Sequence, residues 1–252
     1  HKTDSIDIMD ALGSAIQIDS RNREVVRIQP RLHESLNEEW LSDRSRFSYD
    51  GLKYQRLDQP YLRSQGKLQP CSWEAAFEAI RYRLESLQGH EIVALAGDLA
   101  DCEAMLALKK LWQNLGSAHL DCRQDGLHLP FKERCHYIMN TTVAGLEQAD
   151  CVLLIGTHPR HEAPLVNARL RKAYLRNHTS FGLIGPHLEL TYPYEHIGEH
   201  PHDLLKIVKG QHPFSQTLAS ARKPAVILGQ AVFNHQDTAA LLSGVQTLLD
   251  QY

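Results

Sequence analysis

Four short apolar runs constrain the fold of this chain most. Ile92–Ala96, Cys151–Ile155, Phe181–Ile184 and Ala225–Leu228 are strand-sized, and none alternates with polar residues. A strand with one wet face alternates, whereas a strand apolar throughout has both faces covered. The second pattern marks a parallel sheet between two layers of helices. Helical stripes lie between the runs. Ser72 is an N-cap with Glu74 in the first turn, and Trp73, Phe77, Ile80, Leu84 and Leu87 follow on one face up to Gly89. Met105, Leu108, Trp112 and Leu115 form a second stripe ended by Gly116, and Leu165–Tyr174 reads as a third helix. The expected class is α/β, a doubly wound sheet. Its strands end at Gly97–Asp98, Gly156–Thr157, Gly185–Pro186 and Gly229–Gln230, the carboxyl ends at which such sheets usually bind ligands.

Residues 1–57 read differently. Ala15–Asp19 and Glu24–Ile28 flank the polar turn Ser20–Arg23, which is a hairpin signal, and Pro30 ends the second strand. Glu34–Arg56 is charged and irregular, with Trp40, Phe47 and Tyr49 as expected anchors. Two domains are therefore expected, 1–57 and 58–252. The chain opens at His1 without Met, which reads as a fragment of a longer polypeptide.

Composition excludes several functions. A net charge of −3 with both signs interspersed leaves no basic footprint for nucleic acid. No apolar run approaches the ~20 residues of a membrane span. The cysteines, Cys71, Cys102, Cys122, Cys135 and Cys151, lack the C-x-x-C spacing of a zinc ribbon or redox pair, and read as buried free thiols of a reducing compartment.

The loop Gly156–Pro164 is the best ligand candidate, because it runs from a buried strand into a helix start where Arg160 would assist an anion. It carries neither G-x-G-x-x-G nor a P-loop, and a structural turn is the plainer reading. Among 15 histidines, His158 with His161, His196 with His200 and His202, and Cys135–His136 with Cys122 and His128 are the groupings. None has metal-ligand spacing, and surface loop histidines are the expectation. Arg169, Arg171, Lys172 and Arg176 read as a solvated basic face, with contact to an acidic partner as the alternative. Spacing yields no catalytic triad or nucleophile elbow.

The segments Thr3–Ser14, Asn37–Leu52, Asn140–Gly145, Gly156–Arg169, His212–Gln216 and Lys223–Gly229 resemble the large iron–sulfur subunit of respiratory complex I, and the likeness spans nearly the whole chain. The later part of that subunit is similar in turn to molybdopterin oxidoreductases, which begin with a 4Fe–4S module bound through C-x2-C-x3-C-x27-C. Aligned on Glu24–Ile28 and Trp40–Phe47, the four ligand positions fall on Asp7, Asp10, Ser14 and Ser42, with the intervals of 2, 3 and 27 residues preserved. Every thiolate is replaced by an oxygen donor.

The resemblance implies a degenerate molybdopterin-oxidoreductase-like sheet preceded by a small β-rich module that has lost its cluster. No catalytic residue, cofactor or metal is expected in this segment. The subunit's 4Fe–4S and 2Fe–2S clusters would lie in an N-terminal part outside it. The implied partners are that part and other peripheral-arm subunits, without nucleic acid or a membrane span. The implied location is the matrix side of the mitochondrial inner membrane, or the cytoplasmic side of a bacterial one. The competing readings are a fragment of an active molybdopterin oxidoreductase and an α/β module that binds a nucleotide or anion.

Overall fold

The computed structural model describes residues 1–97, 99–122, 126, 127, 129 and 137–252. Asp98, His128, Cys135 and His136, which the sequence raised as a strand end and as a Cys/His grouping, lie outside the described residues. The chain forms two compact units, His1–Tyr49 with Leu127–Tyr252, and Asp50–Gly126.

The first unit opens with an antiparallel sheet of β1 (Lys2–Ile6), β2 (Ala15–Arg21) and β3 (Glu24–Pro30). The hairpin turns at Asn22 and Arg23, with φ of 50° and 65°, the left-handed pair that matches strand twist in a two-residue turn. Pro30 occupies the last position of β3, opposite Ile16. The irregular segment that follows is organised differently from the expectation. Trp40 and Phe47 are 56% and 64% exposed, so they are not the buried anchors expected. The organiser is buried Asn37. Its Oδ1 accepts from Ala15 N at 3.0 Å, and its Nδ2 lies 3.2–3.4 Å from the carbonyls of Ala15, Arg31, Glu38 and Trp40. A segment without a ladder must satisfy its buried backbone groups through side chains, and an amide with both polarities does so where an indole cannot. The short helix α1 (Asp43–Phe47) follows, capped by Ser42.

The second unit holds the hairpin β4 (Tyr61–Ser64) and β5 (Lys67–Pro70), helix α2 (Trp73–Leu84), strand β6 (Ala94–Leu95), helix α3 (Cys102–Asn114) and strand β7 (Leu120–Asp121). Ser72 caps α2 as expected, its Oγ accepting from Ala75 N at 3.2 Å. The anticipated strand Ile92–Ala96 is reduced to β6, which pairs in parallel with β7 alone. Trp73, Phe77 and Ile80 are exposed in this structure, and Ala76 is the buried residue of α2.

The first unit resumes with β8 (Cys151–Ile155), α4 (Pro159–Glu162), α5 (Pro164–Asn177), β9 (Ser180–Ile184), β10 (Glu195–Gly198), α6 (Pro201–Val208), α7 (Phe214–Ser220), β11 (Pro224–Leu228), α8 (Gln230–Phe233) and α9 (Thr238–Gln251). The strands form a parallel sheet ordered β10-β9-β8-β11. Every residue of β8 is buried, as its composition required. Cys151, Leu153 and Ile155 face a core with Leu204, Ile207, Phe214, Leu218, Val245 and Leu248. Val152 and Leu154 face a second core with Leu146, Leu170, Phe181, Leu183 and Tyr192. Each fully buried aliphatic side chain contributes about 1.5–3 kcal/mol, so this two-sided strand is the thermodynamic centre of the unit. Cys151 is an inert thiol: burial, reinforced by the charge of Asp150, pushes its pKa up to about 12. Cys102 and Cys122 are exposed, against the expectation that the thiols are buried, because they flank the two-stranded β6–β7 pair rather than the main sheet.

Candidate functional site

Asp7, Asp10, Ser14 and Ser42 meet in one buried cradle, none more than 7% exposed. The first three lie on the loop joining β1 to β2, and Ser42 comes from the start of α1. The loop is closed by Asp7 N donating to Ser14 O at 2.8 Å. Two successive Asx turns shape it. Asp7 Oδ1 accepts from Met9 N at 2.9 Å, and Asp10 Oδ1 accepts from Leu12 N at 2.9 Å. Ser45 then links the loop to the helix. Its hydroxyl donates to Asp7 Oδ2 at 2.5 Å and lies 2.8 Å from Ser42 Oγ, which also accepts from Ser45 N at 3.2 Å. The sequence reading missed Ser45. The pattern of an N-cap Ser with Ser at the third helical position was the signal available for it.

Part of the cradle is not satisfied. Asp10 Oδ2 and Ser14 Oγ are buried without a hydrogen-bond partner. Burial, aided by the charge of Asp7, raises the pKa of Asp10, while the N–H of Leu12, the charge of Arg44 and the N–H of Leu165 oppose the rise. The Leu165 contact places the loop against the first turn of α5, and Arg44 reaches the same region by donating to His161 O at 2.7 Å. Because the folded-state pKa of Asp10 is raised, its ionisation costs stability at neutral pH, and that cost disappears as the pH falls through the folded value to the unfolded one. Asp10→Asn is therefore expected to stabilise the chain near pH 7 by about 1 kcal/mol, the scale of one unmade buried hydrogen bond. Paired urea melts should show the gain shrinking on acidification.

These residues do not fit a 4Fe–4S cluster. Cubane iron is held by soft thiolates, whereas Asp7, Asp10, Ser14 and Ser42 offer only hard oxygen donors. Asp7 and Ser42 are moreover joined through the single hydroxyl of Ser45, so the space between them is closed by hydrogen bonds.

The loop Gly156–Pro164 lies at the switch point of the sheet, where β8 and β11 are neighbours and the order reverses. It is already occupied by a carboxylate of its own. Glu162 accepts from Thr157 Oγ1 at 3.0 Å and from His158 N at 2.9 Å. Arg160 turns away, its Nη1 lying 3.4 Å from Glu189 O and 3.7 Å from Glu189 Oε2. The donors an anion would need are thus engaged within the loop. The histidines form ring pairs: His158 with His161 at 4.2 Å, His200 with His202 at 5.5 Å, and His196 with His187, which the sequence reading passed over, at 3.7 Å.

The basic run is not a solvated face throughout. Arg169 is buried, and its guanidinium binds Glu147 and Glu38 together with the carbonyls of Glu34 and Leu36. Lys172 and Arg176 join the same carboxylates. Arg171, by contrast, is exposed and donates to Thr191 O. Of Arg169, Lys172 and Arg176 a further point holds. The carboxylates these three residues meet belong to the chain itself.

The family described as Molybdopterin oxidoreductase matches residues 56–252, and the one described as NADH-ubiquinone oxidoreductase NDSU1/NuoG-like, 4Fe-4S domain matches residues 1–50. The chain is 45% identical over 247 residues to NADH dehydrogenase (ubiquinone) iron-sulfur protein 1, mitochondrial, of Solanum tuberosum, covering 98% of this chain and 34% of that protein. It is 42% identical over 255 residues to the NADH-ubiquinone oxidoreductase 78 kDa subunit of Neurospora crassa, covering 99% and 34%. It is 43% identical over 250 residues to an NADH-quinone oxidoreductase subunit of Rickettsia bellii, covering 99% and 37%. The chain spans about a third of the length of these relatives.

Proposed function

This chain belongs to the molybdopterin oxidoreductase family, and on that footing we propose that it is a non-catalytic scaffold within the large iron–sulfur subunit of respiratory complex I. Residues 1–57 are a former cluster module, and 58–252 a molybdopterin-oxidoreductase-like domain. The assembly would pass electrons from NADH to quinone through 4Fe–4S and 2Fe–2S clusters in a part of the subunit N-terminal to this stretch, and this segment would hold neither an iron–sulfur cluster nor molybdenum. Its task would be to brace that part and the neighbouring peripheral-arm subunits, on the matrix side of the mitochondrial inner membrane or its bacterial counterpart. Among the described residues, no helix is long and apolar enough to cross a membrane.

The observation that carries this reading is the hydrogen-bonded chain Asp7–Ser45–Ser42 at the positions where ligands to iron would stand. The carboxylate and the two hydroxyls hold the loop to the helix by hydrogen bonds, so the module keeps its shape without a cofactor.

The test is direct. The chain is expressed anaerobically, and its iron, sulfide, molybdenum and visible spectrum are measured beside a variant carrying Asp7→Cys, Asp10→Cys, Ser14→Cys and Ser42→Cys. The parent is expected to lack all three elements, and the variant to take up iron and sulfide on reconstitution. A parent chain with a full complement of cluster iron would overturn the proposal. Bound molybdenum would favour a fragment of an active molybdopterin enzyme instead.

A further inference from the structure

We propose that His187, His196 and Glu199 form a divalent transition-metal site, with zinc the fitting ion. One nitrogen of each histidine and a carboxylate oxygen of Glu199 lie within 4.8 Å of one another. His187 follows β9, Glu199 follows β10 and His196 lies within β10, at the edge of the sheet away from the β8–β11 switch point.

The backbone holds the two contributing segments together. Gly185 N donates to Gly198 O at 2.8 Å, so the loop carrying His187 and the loop carrying Glu199 are joined at their roots. His196 is the fixed post. It is half-buried, and its Nε2 lies 2.8 Å from Gly185 O. A carbonyl can only accept, so Nε2 carries the proton and Nδ1 carries the lone pair. Metal-binding histidines are usually set in this way, with the second ring nitrogen donating to a backbone carbonyl. The His187 ring packs against that of His196 with centroids 3.7 Å apart and a tilt of 33°.

Two imidazole nitrogens and one carboxylate form a borderline donor set that suits zinc, and three protein ligands leave a fourth position for water. Zinc binds such atoms at about 2.0–2.2 Å, which puts ligand atoms about 3.4 Å apart in a tetrahedron. The three ligand atoms lie within 4.8 Å of one another, so a closure of at most about 1.4 Å brings them to that spacing. His187 and Glu199 are both exposed, so their side chains can make that movement while His196 stays in place.

Zinc titration of the chain by calorimetry, with cobalt substitution read by its visible bands, tests the site. One equivalent is expected to bind with a four-coordinate cobalt spectrum. His187→Ala and Glu199→Gln change exposed side chains and leave the fold intact. Each should weaken binding by more than about tenfold, the loss that even an outer-shell change produces. The paired variant His158→Ala with His161→Ala should bind as the parent does. Absence of a single tight equivalent in the parent, or parental affinity in both His187→Ala and Glu199→Gln, would overturn the proposal.

Discussion

Arg169→Met is expected to destabilise the chain by about 3–5 kcal/mol, the usual cost of removing one partner from a buried ion pair. The side chain of Arg169 is 5% exposed. Its Nη1 meets Glu147 and lies 3.3 Å from Glu38, while its Nη2 donates to Glu34 O at 2.7 Å and to Leu36 O at 2.9 Å. Methionine keeps most of the stem volume, so the loss is electrostatic rather than a cavity. Two carboxylates would remain with Lys172 and Arg176 alone, and two carbonyls would lose their donor. The affected carbonyls belong to the irregular segment between β3 and α1, so Arg169 fastens the N-terminal module to α5.

The pH dependence gives a second readout. Burial pushes the pKa of Glu147 up, but hydrogen bonds from Arg169 and Lys172 and their charges outweigh burial and hold it below its ordinary value of 4.5. A depressed carboxylate stabilises the fold above its unfolded pKa, and that contribution is lost as the pH falls through the folded value. Without Arg169 the folded pKa rises, so less stability remains to be lost on acidification, and the variant's urea midpoint should vary less between neutral and acid pH. Arg171→Ala, at an exposed position on the same helix, should stay within about 0.5 kcal/mol of the parent. Equal losses in the two variants would mean that the buried network does not hold this junction.

The same residues show why part of the structure was legible in sequence and part was not. Strand β8 could be read because five consecutive apolar residues admit no wet face. Strand β10, Glu195–Gly198, could not, because an edge strand with one neighbour tolerates Glu and His. The basic run on α5 has the spacing of a solvated face. The fate of Arg169 is decided by Glu38 and Glu147, which come from other elements and leave no mark on local periodicity. The cradle was anticipated only through the intervals among Asp7, Asp10, Ser14 and Ser42. Those intervals could not reveal that Ser45 now bridges two of the positions, since the bridge forms only when α1 returns to the β1–β2 loop.

Gly229→Ala is expected to cost about 3 kcal/mol, near the upper end for overpacking by a single carbon. Gly229 has a φ of −92°, which any residue can adopt, so the requirement for glycine is steric. A Cβ there would lie 2.1 Å from Gly156 O and 2.4 Å from Thr157 Cα. Both neighbours are backbone, held by Gly156 N donating to Ile184 O at 2.9 Å and by Gly229 N donating to Ile155 O at 2.9 Å, so neither can turn aside as a side chain would. The added carbon must push apart the two loops that leave β8 and β11. Gly51→Ala is the matched control, because nothing lies within 4 Å of a Cβ at that position. Melting temperatures of the two variants should differ by several degrees, as a difference of this size implies. The comparison also bears on function, because the β8–β11 junction is where a sheet of this kind would open a ligand crevice. With Gly229 against Gly156, that crevice is closed at its root. If Gly229→Ala proves as stable as Gly51→Ala, the loops part at little cost, and binding of a nucleotide or anion at the Gly156 loop becomes the reading to pursue.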